Sequence, residues 1–111
     1  MELETKYRII HNGEKAFGKG PCLLLEKVDK LGSLNKAAGE LNMSYSKAWS
    51  IINKAEKMFG ETLLETHTGG TDGGGSYLTP KAKELIKAYK GFCKEADEVL
   101  DELYKKYFRG I

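Results

Sequence analysis

Apolar residues recur along this chain at two spacings, about two and about 3.6 residues, and the switches between them mark its elements. "LETKYRII", residues 3–10, is rich in β-formers and predicts a strand. Asn12-Gly13 behind it is a two-residue hairpin turn, because both positions accept positive φ. The return strand is short, near Lys15–Phe17. Gly18 and Gly20 break the pattern, and Pro21 suits the first turn of a helix. Leu24, Leu25, Val28 and Leu31 follow at helical spacing, so the first helix runs to about Leu31, with Gly32 just past its end. Ser33 caps a short second helix, about Leu34 to Leu41. Asn42-Met43 makes a tight turn, and Ser44 caps a third helix ending near Phe59. Its buried stripe is Ala48, Ile51, Ile52, Ala55, Met58 and Phe59. "TLLETH" and "SYLT" read as two short strands joined by a glycine-rich loop. Thr79-Pro80, a cap followed by proline at the first helical position, opens a last helix to about Phe108.

The segment "GSLNKAAGELNMSYSKAWSII" has helix-turn-helix spacing. Two helices crossing steeply need small residues at the crossing, and Ala37, Ala38 and Ala48 supply them. Leu34, Leu41, Met43 and Ile51 are the inward anchors. The third helix, about 44–59, is then a recognition helix for the DNA major groove, whose width of roughly 12 Å admits one helix. Off its buried face lie Tyr45, Ser46, Lys47, Ser50, Asn53 and Lys54. The lysines suit phosphate or guanine, Asn53 and the serines suit base edges, and Tyr45 suits phosphate or the groove wall. Trp49 sits at the margin, with packing against the domain weighed against DNA contact. The helix N-termini at Ser33 and Ser44 offer free N–H groups to phosphates. "HTGGTDGGGSYLTP" holds five of the 13 glycines and reads as the tip of a wing spanning 63–79. Gly73 and Gly74 there allow close approach to the flanking DNA backbone.

An ideal helix from Pro80 to Phe108 is about 43 Å long, longer than a domain of this size can cover. Leu85, Tyr89, Phe92, Ala96, Val99, Leu103 and Tyr107 step by 4, 3, 4, 3, 4 and 4, and with Ile86, Cys93 and Leu100 beside them the stripe is wide enough to pack on its own domain at one edge and on a second subunit at the other. The fold class is therefore mainly α with small β: a winged helix-turn-helix with an N-terminal β-hairpin and a long C-terminal dimerisation helix. Residues 1–79 form the DNA-binding domain and 80–111 the helix.

Charge sharpens this only locally. The net charge is +2, a weak signal for nucleic acid. Residues 81–94, however, carry Lys81, Lys83, Lys87, Lys90 and Lys94 against Glu84 alone, whereas residues 95–102 carry only acids. The start of the last helix is thus a second candidate for contact with a polyanion. Cys22 and Cys93 lie far apart in apolar patterns, which points to reduced core or interface residues. No Cys/His spacing suggests a metal, no cofactor motif appears, and no nucleophile–base pair or P-loop suggests an enzyme. No apolar run approaches the roughly 18 residues that span a bilayer, and the N-terminus lacks a signal-peptide core, so the expectation is a cytoplasmic protein.

"GSLNKAAGELNMSYSKAW", "FGETLLETHTGG", "GGGSYLTP" and the early "FGKG" together resemble the N-terminal DNA-binding domain of ModE-type regulators, over roughly Tyr7 to Tyr89. The resemblance implies a dimeric winged helix-turn-helix, related to the LysR-type domain, from proteins that control molybdate transport genes. It implies a sequence-specific transcription regulator acting as a homodimer on double-stranded DNA. Three departures matter. The molybdate-sensing portion follows the long helix in full-length regulators, and no oxyanion-binding domain is visible in these 111 residues. Thr66 stands where relatives carry arginine, and Thr71-Asp72 where a basic residue is common. Segment 61–79 carries Glu61, Glu65 and Asp72 with no Lys or Arg, so this wing is expected to bind phosphate weakly. A competing reading is a protein-interaction module that forms mixed dimers with a longer regulator and binds DNA only weakly. A small-molecule or oxyanion sensor ranks behind both.

Overall fold

The structure, a computed structural model, describes residues 1–67 and 75–111. The order of elements is β1 (Ile9–His11), β2 (Glu14–Phe17), α1 (Lys19–Leu31), α2 (Leu34–Glu40), α3 (Tyr45–Phe59), β3 (Leu64–His67), β4 (Gly75–Leu78) and α4 (Pro80–Phe108).

The first hairpin turns at Asn12 (φ 50°) and Gly13 (φ 78°), the two positive dihedrals that Asn-Gly supplies at low steric cost. Ile10 pairs with Lys15 and His11 with Glu14, but Ile9 pairs with Phe17, so β2 carries a bulge. The extra residue lets consecutive side chains, Ala16 and Phe17, both turn inward. β1 is far shorter than the strand expected over residues 3–10, and the cause is a competing partner. Thr5 Oγ1 and Tyr7 Oη both donate to Asp97 Oδ1 on α4, each at 2.7 Å. The Tyr7 ring meets Phe92 edge-on at 5.6 Å, and Tyr89 Oη donates to the Tyr7 carbonyl at 2.6 Å. Residues 5–7 are thus a strap laid against α4.

Helix α1 is the centre of the core. Leu24, Leu25 and Val28 are fully buried, each such side chain contributing about 1.5–3 kcal/mol. It starts two residues before the expected Pro21. That proline lies in the first turn, where its missing N–H costs no helical bond. Gly32 ends α1 at φ 68°, and its N–H bonds the Val28 carbonyl. Ala37, Ala38 and Ala48 are all buried where α2 meets α3, as a close helix crossing demands. Asn42 sits at φ 55° in the turn between them.

The second hairpin pairs Leu64 with Leu78, both buried, and Thr66 with Ser76. Three sets of bonds lash it to the helices. Glu56 Oε2 on α3 accepts from the N–H groups of Leu63 (2.8 Å) and Leu64 (3.4 Å). Ser76 donates its N–H to the Gly32 carbonyl at 2.9 Å. Thr79 donates through Oγ1 to the Thr62 carbonyl and through its N–H to the Leu63 carbonyl, while Oγ1 accepts from Ala82 N as the cap of α4. Only the first turns of α4, at Ala82, Leu85 and Tyr89, are buried. The rest projects, giving extents of 63 × 27 × 23 Å.

Candidate nucleic-acid interface

The third helix is built to present one face. Ser44 Oγ accepts from Lys47 N at 3.1 Å, fixing the start of α3 after the turn. Ala48, Ile52 and Ala55 fall on one side at helical spacing and are buried, with Ile51, Met58 and Phe59 partly buried beside them. Tyr45, Ser46, Lys47, Ser50, Asn53 and Lys54 are consequently exposed together, as the spacing predicts. Trp49 is half-buried and packs on the core, and the Tyr45 ring meets it edge-on at 6.3 Å.

Ser33 and Ser44 both spend an oxygen acceptor on a backbone N–H, Lys36 in the first case. Their demonstrated role is to cap, and the exposed hydroxyl of Ser44 stands beside the α3 face. Gly73 and Gly74 lie outside the described residues, as do Thr71 and Asp72. The basic start of α4 is weaker than its composition suggests. Lys90 Nζ lies 2.8 Å from Glu26 Oε2 and Lys81 Nζ lies 3.7 Å from Glu84 Oε2, so two of the five lysines already face a carboxylate. The Glu26 hydrogen bond raises the Lys90 pKa above its ordinary value.

One neighbour of α3 went unread in the sequence. The first hairpin packs against the helix through β2, and the two enclose an open cleft of about 760 Å³. Ser46, Ser50, Asn53 and Lys57 line one wall, and His11, Asn12, Glu14 and Lys15 line the other. Lys57 continues the 46/50/53 stripe at helical spacing and was legible on that ground. The hairpin wall was not, because nothing local says that residues 11–15 lie beside residues 46–57.

The expected dimer seam divides in two. Leu85 and Tyr89, each 8% exposed, belong to the protomer's own core: Tyr89 stacks edge-on against Phe17 at 5.2 Å. Burial, followed by its neighbour Cys93, pushes the Tyr89 hydroxyl up to about 12, so it stays a donor to the strap. Both Leu85 and Tyr89 were expected in the dimer seam; within the protomer they are packed, because the core reaches up α4 as far as Tyr89. Beyond it Phe92, Val99, Leu103 and Tyr107 are 61, 60, 44 and 63% exposed, and Ala96 is half-buried. Cys22 and Cys93 are free thiols; burial holds Cys22 near 11 and makes it a poor nucleophile. Among the described residues no group of three or more His, Cys, Asp or Glu side chains is placed to hold a metal ion, and no helix is long and apolar enough to cross a membrane.

Residues 23–83, more than half of the chain, match the model for bacterial regulatory helix-turn-helix proteins of the lysR family. The chain belongs to the LysR family of regulatory helix-turn-helix proteins. This LysR-family chain is 34% identical over 88 residues to the molybdenum transport protein ModE of Herbaspirillum seropedicae, which covers 79% of it and 31% of that protein. It is 32% identical over 80 residues to the DNA-binding transcriptional dual regulator ModE of Escherichia coli K12, covering 72% and 30%. The fold is shared with the crystal structure of ArgP from Mycobacterium tuberculosis, at a TM-score of 0.53 and 24% identity over 77% of this chain and 30% of that one. The LysR-family chain thus spans less than a third of the length of the relatives it matches. The ModE-type resemblance and the winged helix-turn-helix architecture both hold, and the family is one of regulators, not enzymes.

Proposed function

We propose that this chain is a sequence-specific DNA-binding transcription regulator that works as a homodimer. α3 enters the major groove, and the second hairpin lies along the flanking backbone. The observation that carries this reading is the exposed face of α3. Donors and acceptors at Tyr45, Ser46, Ser50 and Asn53 and cations at Lys47 and Lys54 are displayed on a helix whose opposite side is locked into an alanine crossing. The exposed apolar residues of distal α4 support the dimer, since Phe92, Val99, Leu103 and Tyr107 form a stripe that one protomer does not cover. The names of the relatives make operators of molybdenum transport genes the first natural sites to try.

The test is selection from a pool of random duplexes at several salt concentrations, followed by sequencing. A motif with two related half-sites about 34–36 Å apart, or a multiple of that, is expected. Asn53→Ala should weaken binding to it without lowering thermal stability. Weak, salt-sensitive binding with no enriched motif would overturn the reading and shift attention to mixed dimers made through α4.

A further inference from the structure

The charge expected on a wing is placed elsewhere in this molecule. Within β3 and β4, Glu65 is the only Asp, Glu, Lys or Arg. The first hairpin, on the other hand, closes a cleft over the α3 face, and that cleft is lined by Lys15, Lys54 and Lys57 against Glu14 alone. Among the described residues none of these three lysines takes part in an ion pair. Lys15 lines the cleft from the hairpin side. Its stem crosses Gly18, where a Cβ would come within 3.1 Å of Lys15 Cε. The bulge beside it buries Ala16 and Phe17, so the hairpin is anchored and not a loose arm.

We infer that the β1–β2 hairpin is a second DNA-contacting element, whose cleft with α3 takes the sugar–phosphate backbone bordering the groove that α3 enters. The inference deepens the proposed function and depends on it. A backbone is the occupant the chemistry selects. The α3 wall offers amide, hydroxyl and ammonium groups suited to nucleic acid, and the hairpin wall adds a flexible ammonium. Beside it stand the exposed His11 imidazole and Asn12 carboxamide, both able to hydrogen-bond phosphate oxygens as well as bases, and no arginine fork. A Lys15 contact with phosphate therefore adds affinity without itself adding sequence preference.

The experiment is a salt titration of the full chain on a random-sequence duplex, followed by fluorescence anisotropy. Wild type, Lys15→Gln and Glu14→Lys are compared. Each phosphate contact contributes about −0.9 to the slope of log K against log salt. Lys15→Gln should make the slope shallower by about that amount, and Glu14→Lys should make it steeper and tighten binding at low salt. A gain of that kind cannot come from a misfolded variant. Slopes equal to wild type in both variants would overturn the hairpin contact while leaving α3 binding intact. A wild-type chain that binds no duplex at any salt would remove the parent reading and this one together.

Discussion

At the scale of single residues, two positions carry unusual structural weight. Gly75 opens β4 against the α1–α2 corner, where a Cβ would lie 2.9 Å from the Gly32 carbonyl oxygen. That oxygen cannot retreat freely, because it also accepts the Ser76 N–H. Gly75→Ala should therefore lower stability by about 1–3 kcal/mol, the usual cost of overpacking. Gly39, in α2 with nothing near its missing Cβ, should show the opposite sign, with Ala stabilising by up to about 1 kcal/mol. Urea denaturation of the two variants checks both, and equal effects would remove the steric account of Gly75. Asp97 is the second position. Hydrogen bonds from Thr5 and then Tyr7 hold its carboxyl below the ordinary value of 3.8. A depressed folded-state pKa stabilises the fold at pH values above the unfolded value, and the stabilisation is lost as pH falls through the folded one. Asp97→Asn should thus be less stable at neutral pH and lose stability less steeply below about pH 4. Denaturation midpoints between pH 7 and pH 2.5 test this, and parallel curves for the two proteins would mean that the strap does not depend on that charge.

At the scale of elements, local chemistry was the most legible part. Asn12-Gly13, the caps at Ser33, Ser44 and Thr79 and the αL glycine at position 32 each act over four residues or fewer. Each appears where its chemistry placed it. The polar face of α3 was legible for the same reason, being the complement of a clear apolar stripe. What failed was anything decided by a distant partner. "LETKYRII" has the residues of a strand, yet its first half is drawn to Asp97, Phe92 and Tyr89, more than 80 positions away. Periodicity ran unbroken through α4 and could not reveal that burial within the protomer stops at Tyr89. Nor could it show that the first hairpin walls the α3 cleft, since β2 and α3 are joined by packing alone.

At the scale of the molecule, length is the dominant fact. A compact chain of this size has a radius of gyration near 13 Å by the usual scaling, and this one has 17.0 Å. The excess is distal α4, which carries exposed Phe92, Val99, Leu103 and Tyr107 into solvent. If a second copy covers that stripe, Leu103→Glu should move the sedimentation mass from dimer toward monomer. The unfolding of the domain around α1 should change little. An unaltered mass would exclude the far half of α4 as the contact.

The three lashings at Glu56, Gly32 and Thr79 have a mechanical consequence. They join α3, the corner after α1 and the root of α4 to the second hairpin by its backbone and by one threonine, like the struts of a braced frame. A frame of this kind transmits load without yielding much. In a complex of the kind proposed, most of the give then has to come from the duplex, and bending it would favour easily kinked steps such as TA and CA. Preference could thus arise at base pairs that no side chain reaches, set by the stiffness of the protein and the pliancy of its partner.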